Sequence, residues 1–99
     1  MITLGFVPSY SDAVTIDSPF TNNGLTLLAA YIYVTGSSGD IVWENNLGEA
    51  QWLPAAQSGQ TYLLGASRIL SSGTVNGTPR ATTATGLVWL AVNQKYNTP

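Results

Sequence analysis

The sequence predicts an all-β fold, a single small antiparallel β-sandwich or jelly-roll-like barrel made of residues 1–99. Three observations predict it. Short runs rich in Val, Ile, Leu, Thr, Tyr and Trp alternate with clusters of Gly, Ser, Asn and Pro. Apolar and polar positions alternate with period two inside several of those runs. No long segment carries a helical period with caps at its ends.

In chain order, strands are expected near Ile2–Val7, Ala13–Asp17, Leu25–Thr35, Asp40–Asn45, Ala50–Leu53, Thr61–Leu70 and Gly86–Val92. Turns are expected at Gly36–Gly39, Asn45–Gly48, Ala56–Gly59 and Asn76-Gly77. The Asn-Gly pair suits a tight hairpin, because both residues tolerate positive φ. Leu25–Tyr31 has some helical propensity, but the β-branched and aromatic residues that follow favour a strand. Alternation puts Ile32 and Val34 on one face and Tyr31 and Tyr33 on the other. Tyr62, Leu64, Ala66 and Arg68 share a face. Leu87–Val92 is apolar on both faces, which suits a central or covered strand. Ser71–Thr85 reads as a loop poor in large apolar residues, and the end at Asn97-Thr98-Pro99 as loose.

Composition narrows the function. A chain of 99 residues has a thin core. With neither cysteine nor histidine, no disulfide supports it and a structural zinc site is excluded. Charged residues make up 8% of the chain, where about 25% is usual. So little charge suits a surface covered by other subunits, while a Ser/Thr/Asn-rich coat is the simpler alternative. The basic residues are Arg68, Arg80 and Lys95 alone and the net charge is −2, so neither nucleic acid nor a membrane surface is an expected partner. Met1–Pro8 lacks the charged and apolar regions of a signal peptide.

No catalytic residue, metal or cofactor is expected. A hydroxyl nucleophile needs a base, and Lys95 stands in no motif. Asp40, Glu44 and Glu49 lie close together beside Trp43 and Trp52, a pattern glycosidases share. Their turn positions are accounted for by solvation alone. Gly36-Ser37-Ser38-Gly39 lacks the Lys and following helix of a phosphate loop. The sequon Asn76-Gly77-Thr78 carries no weight without secretion. Aromatic residues and lone arginines enrich interface cores, which makes Trp43, Trp52, Tyr62, Arg68, Arg80 and Trp89 the candidate interface residues. Core filling and a sugar-stacking platform are the competing roles for the tryptophans.

One ordered pattern goes further. Tyr31–Thr35 leads into Gly36-Ser37-Ser38-Gly39-Asp40-Ile41. Gly59–Leu70 follows, with Arg68-Ile69 near its end. Ala81-Thr82-Thr83-Ala84-Thr85 then precedes Gly86-Leu87-Val88-Trp89-Leu90. Over residues 30–90 this order resembles the small spike-base and head-decoration proteins of tailed phages and gene transfer agents, with Ser72–Arg80 as an insertion. The resemblance implies a β-sandwich or jelly roll, a homo-oligomeric ring, attachment to capsid or fibre subunits in the virion, and no active site. Closed three-fold or five-fold symmetry is the expectation for such a ring. A carbohydrate-binding β-sandwich serving host adhesion is the alternative.

Overall fold

The computed structural model describes the backbone of residues 4–22, 25–26 and 28–96, and side chains within 11–21 and 28–91. Among the described residues eleven strands follow in order: β1 Leu4–Ala13, β2 Thr21–Asn22, β3 Leu25–Thr26, β4 Ala29–Val34, β5 Gly39–Glu44, β6 Ala50–Ala56, β7 Thr61–Ala66, β8 Arg68–Leu70, β9 Ser72–Val75, β10 Thr78–Ala81 and β11 Leu87–Tyr96. The fold is all-β and sandwich-like, with no helix among the described residues.

One sheet has the order β1-β11-β4-β7 and the other β6-β5-β8. Two hairpins, β2–β3 and β9–β10, complete the set, and all pairings are antiparallel. The apolar positions explain the layering. Ile32 and Val34 of β4, and Leu87, Trp89 and Ala91 of β11, turn inward. They meet Ile41 and Ile69 of the three-stranded sheet, with Trp43, Leu53, Tyr62 and Leu64 packed around them. Phe20 enters from the β1–β2 connection and stacks on Trp89, ring centres 4.8 Å apart and tilted by 32°. Each fully buried Ile or Val is worth about 1.5–3 kcal/mol of transfer free energy.

Several expected boundaries shift. Ala13–Asp17 is not a strand: β1 ends at Ala13, and Asp17 has φ 65 in a turn. Leu25–Thr35 is not continuous, because Leu25–Thr26 pairs with Thr21–Asn22 while β4 starts at Ala29. Thr61–Leu70 breaks at Ser67, where the chain leaves one sheet for the other. Ser67 makes that corner by donating its N–H and its hydroxyl to Glu44 O, at 2.8 and 3.0 Å. Gly86–Val92 runs on to Tyr96, and Ala50–Leu53 to Ala56. Ile2 and Asn97–Pro99 lie outside the described residues. Ser71–Thr85 is not a plain loop, since it contains β9–β10, closed at Asn76-Gly77 with φ 50 and 80. Two positive φ values in a two-residue turn are what a type I′ hairpin requires.

At one end of the sandwich three chain crossings are laced together. They are residues 35–38 between β4 and β5, 57–60 between β6 and β7, and 82–86 before β11. Thr35 N and Gly36 N donate to Gly86 O and Thr85 O, and the Thr35 hydroxyl also donates to Gly86 O. Ser37 N donates to Thr85 Oγ1 at 2.7 Å and Asp40 N to Thr83 Oγ1 at 2.8 Å. Thr83 N and Ala84 N both donate to Asp40 O. Ser58 N donates to Ser38 Oγ at 2.9 Å, and Gly59 N to Val34 O at 2.7 Å. The crossings approach so closely that a Cβ on Gly39 would lie 2.5 Å from Ala84 N, and one on Gly86 2.5 Å from Gly36 N.

Gly39→Ala therefore forces backbone apart at this seam and costs about 3 kcal/mol. Gly48 also has positive φ (80) but faces open space, so Gly48→Ala costs only about 1 kcal/mol. Urea unfolding of the two variants gives the comparison; equal losses contradict a seam held by close approach.

Candidate functional site

The sandwich has two outer faces, and the chain treats them differently. On β6-β5-β8 the outward positions include Val42, paired with Trp52 on one side and Leu70 on the other. Val42 is fully buried yet belongs to no part of the between-sheet cluster. The β9–β10 hairpin covers it. A Cβ on Gly73 would stand 3.4 Å from Val42 Cγ1, 3.1 Å from Ala50 Cβ and 3.6 Å from Leu70 Cδ1, so glycine lets the hairpin lie close.

Next to Gly73, Arg80 lays its guanidinium over the Trp52 ring, 3.6 Å from the centroid. Such a stack is worth about 0.5–1 kcal/mol at an exposed site. Thr82 ties down the hairpin's root. Its hydroxyl accepts from Val42 N at 2.9 Å and donates to Leu70 O at 2.6 Å.

Two carboxylates brace the same region. Asp17 Oδ1 accepts from Ser71 N, 2.9 Å away, where the hairpin begins. Asp40 accepts from Ala55 N (2.9 Å) and Trp52 Nε1 (3.3 Å). The Ala55 bond steadies a non-glycine residue at φ 53. The expectation that Asp40 and Glu44 are merely solvated is thus corrected. Glu44 Oε1 lies 3.2 Å from Arg68 Nε, a charge contact without hydrogen-bond alignment, and both side chains remain about one-third exposed. Such a pair contributes little, about 0–1 kcal/mol. The Arg68 Nη1 group also reaches Asp17 O, at 3.4 Å. Glu49 accepts from the Asn45 side chain across the β5–β6 turn.

Each nominated residue has a contact within the chain. Trp89, only 3% exposed, is a core residue and leaves the interface set. Trp43 and Tyr62 pack against the core, and the Tyr62 hydroxyl accepts from Gln57 N at 2.6 Å. Arg68 braces Glu44, and Arg80 and Trp52 clasp the hairpin.

The opposite outer face lies on β1-β11-β4-β7. The registers set two rows across it: Ala13, Val88, Tyr33, Thr61 and Ser11, Leu90, Tyr31, Leu63. None of these eight is charged. Leu63 is 73% exposed and Tyr33 37%, while Tyr31, Val88 and Leu90 are half-buried. Sequence reasoning left Leu63, Val88 and Leu90 off the interface set. The signal was present: Leu87–Val92 is apolar on both faces, and alternation puts Leu63 opposite the core-facing Tyr62 and Leu64.

A depression of about 190 Å³ opens beside Phe20 and Trp89, lined also by Asp12, Thr15, Ser18 and Thr21. It falls below the roughly 300–1,000 Å³ of small-molecule sites. Among the described residues no three His, Cys, Asp or Glu side chains converge. No family model, curated protein or solved structure matches the chain.

Acid should loosen the hairpin's anchorage. The Ser71 N–H, then its hydroxyl and the Arg68 charge, hold the Asp17 carboxyl below its ordinary value of 3.8. The Ala55 N–H, then Trp52 and Arg80, do the same for Asp40. A carboxyl with a lower pKa folded than unfolded stabilises fully above the unfolded value, and that contribution disappears as pH falls through the folded one. The urea midpoint is expected to be flat above about pH 5 and to fall below about pH 4. The double variant Asp17→Asn, Asp40→Asn should start lower at pH 6 and fall less. An unchanged slope in that variant removes these two groups as the cause.

Proposed function

We propose that the protein is a virion accessory protein, a spike base or capsid decoration protein, that acts as a homo-oligomer bound to capsid or fibre subunits. Its work is binding and assembly rather than catalysis. The observation that carries this reading is the uncharged outer face built by Tyr31, Tyr33, Leu63, Val88 and Leu90. Exposed apolar surface organised into one patch marks a contact with another macromolecule. Its aromatic and aliphatic make-up, free of charge, suits the core of a protein–protein interface. It offers no counter-charge to a phosphate or an anionic headgroup.

The phage setting comes from the resemblance. The segments whose order carries it, 31–41, 59–70 and 81–90, are the ones that meet at the laced end of the sandwich. The sugar-platform alternative is less well supported. Trp89 is buried, Trp43 packs on the core and Trp52 carries Arg80 on its ring.

Two measurements test the proposal. Native mass at micromolar concentration and physiological salt should exceed that of one chain, and Tyr33→Glu should lower it without loss of the β-sheet circular dichroism signal. Tagged in the genome that encodes it, the protein should travel with DNA-filled particles through a density gradient. A monomeric mass together with a tag confined to the soluble fraction overturns the proposal.

A further inference from the structure

The strand edges of this fold are unequally protected. An edge strand shows unpaired N–H and C=O groups to any other strand, and proteins block such edges with proline, charge, bulges or shortness. On the three-stranded sheet, β6 carries Pro54 and the kinked Ala55 (φ 53), and β8 is three residues long and begins with Arg68. In the hairpin over that sheet, β10 contains Pro79 and Arg80. The strands β2 and β3 have two residues each. Along β1, Pro8 and the register shift between Pro8 and Tyr10 interrupt the edge.

β7 differs. Thr61-Tyr62-Leu63-Leu64 has no proline and no charge; its register with β4 is regular from Thr61 to Leu63, and a bulge on β7 between Leu63 and Ala66, with Gly65 at φ 63, confines the open edge to that stretch. Among the described residues it pairs with β4 on one side and with no strand on the other. The ladder's phase identifies the outward groups. Val34 N donates to Gln60 O at 3.1 Å, so residues 60 and 62 turn their backbone groups to β4. In an antiparallel ladder the alternate residues then turn theirs away, which leaves the N–H and C=O of Thr61 and Leu63 at the open edge.

We propose that β7 is where a second copy of this chain pairs, antiparallel and about a two-fold axis beside Tyr62. Thr61 of each copy then faces Leu63 of the other, with about four main-chain hydrogen bonds formed. The occupant is a second copy because the edge is self-complementary: identical strands that carried charge would repel one another, and this one carries none. Pairing also continues the exposed face. The row Leu90, Tyr31, Leu63 runs on into Thr61, Tyr33 and Val88 of the second copy, and the exposed Leu63 gains Leu63 of the second copy as its diagonal neighbour. This inference rests on the reading of the protein as a homo-oligomer. It gives dimers, and assemblies of dimers, in place of a cyclic trimer or pentamer.

The test uses the full chain in sedimentation and amide hydrogen exchange over a concentration series. Leu63→Pro removes an outward N–H while keeping the bonds to β4, and proline is tolerated on edges. Leu63→Lys sets like charges across the axis at a position where the side chain is already exposed. Each variant should weaken self-association at least about tenfold with unchanged circular dichroism. In the wild type, the Thr61 and Leu63 amides should exchange more slowly as concentration rises. Association that survives both substitutions, or those amides exchanging equally fast at all concentrations, overturns edge pairing. If Tyr33→Glu alone dissociates the assembly, edge pairing fails while the assembly reading stands. A wild-type chain that stays monomeric at every concentration ends both.

Discussion

Everything else in this sandwich depends on the lacing of three chain crossings at one end. A small β-sandwich has to satisfy the backbone wherever strands change sheet, because an unpaired N–H or C=O taken from water is costly. Here no disulfide relieves the problem. The crossings bond to one another instead, and threonine hydroxyls fill the gaps that main-chain groups do not reach. The arrangement works only because Gly36, Gly39 and Gly86 have no Cβ to hold the backbones apart. Thr82 extends the lacing inward to Val42 and Leu70, so the hairpin over the small sheet is rooted in the same structure.

The two outer faces show what this arrangement leaves over. Most of the described charged groups with defined partners gather around the three-stranded sheet and its hairpin, namely Asp17, Asp40, Glu44, Glu49, Arg68 and Arg80, while Asp12 on β1 accepts from Ala13 N. There they hold turns and strand ends. The outer rows of the four-stranded sheet have none. An apolar face without charge gains from being covered, and strands that carry no charge can be covered by copies of themselves.

Local pattern made part of this legible. Alternation in Tyr31–Val34 and Tyr62–Ala66 separated the core-facing side chains from the outward ones, because the period of a strand is fixed by its own backbone. The Asn76-Gly77 turn was legible for the same reason. What escaped was long-range. Thr61–Leu70 reads as one strand, since nothing in its pattern marks Ser67 as the corner held by Glu44. Thr82, Thr83 and Thr85 read as loop residues because their partners stand about forty residues away in the chain. Asp40 looked solvated, although Ala55 and Trp52, on the next strand, claim both its oxygens. The stack of Arg80 on Trp52 joins residues 28 positions apart, and local pattern could not show it.

The place of β11 has a consequence for how the protein is made. This strand is late in sequence, yet it stands between β1 and β4 in the four-stranded sheet. While the chain is still being synthesised, β1 has no neighbour to pair with and waits through the translation of some seventy residues, until Leu87–Tyr96 emerges. Pairings this distant in sequence are slow to form, and unpaired strands are exposed to aggregation in the meantime. The outward face of that sheet therefore exists as a surface only once β11 has been made, so the surface and the strand that completes it appear together.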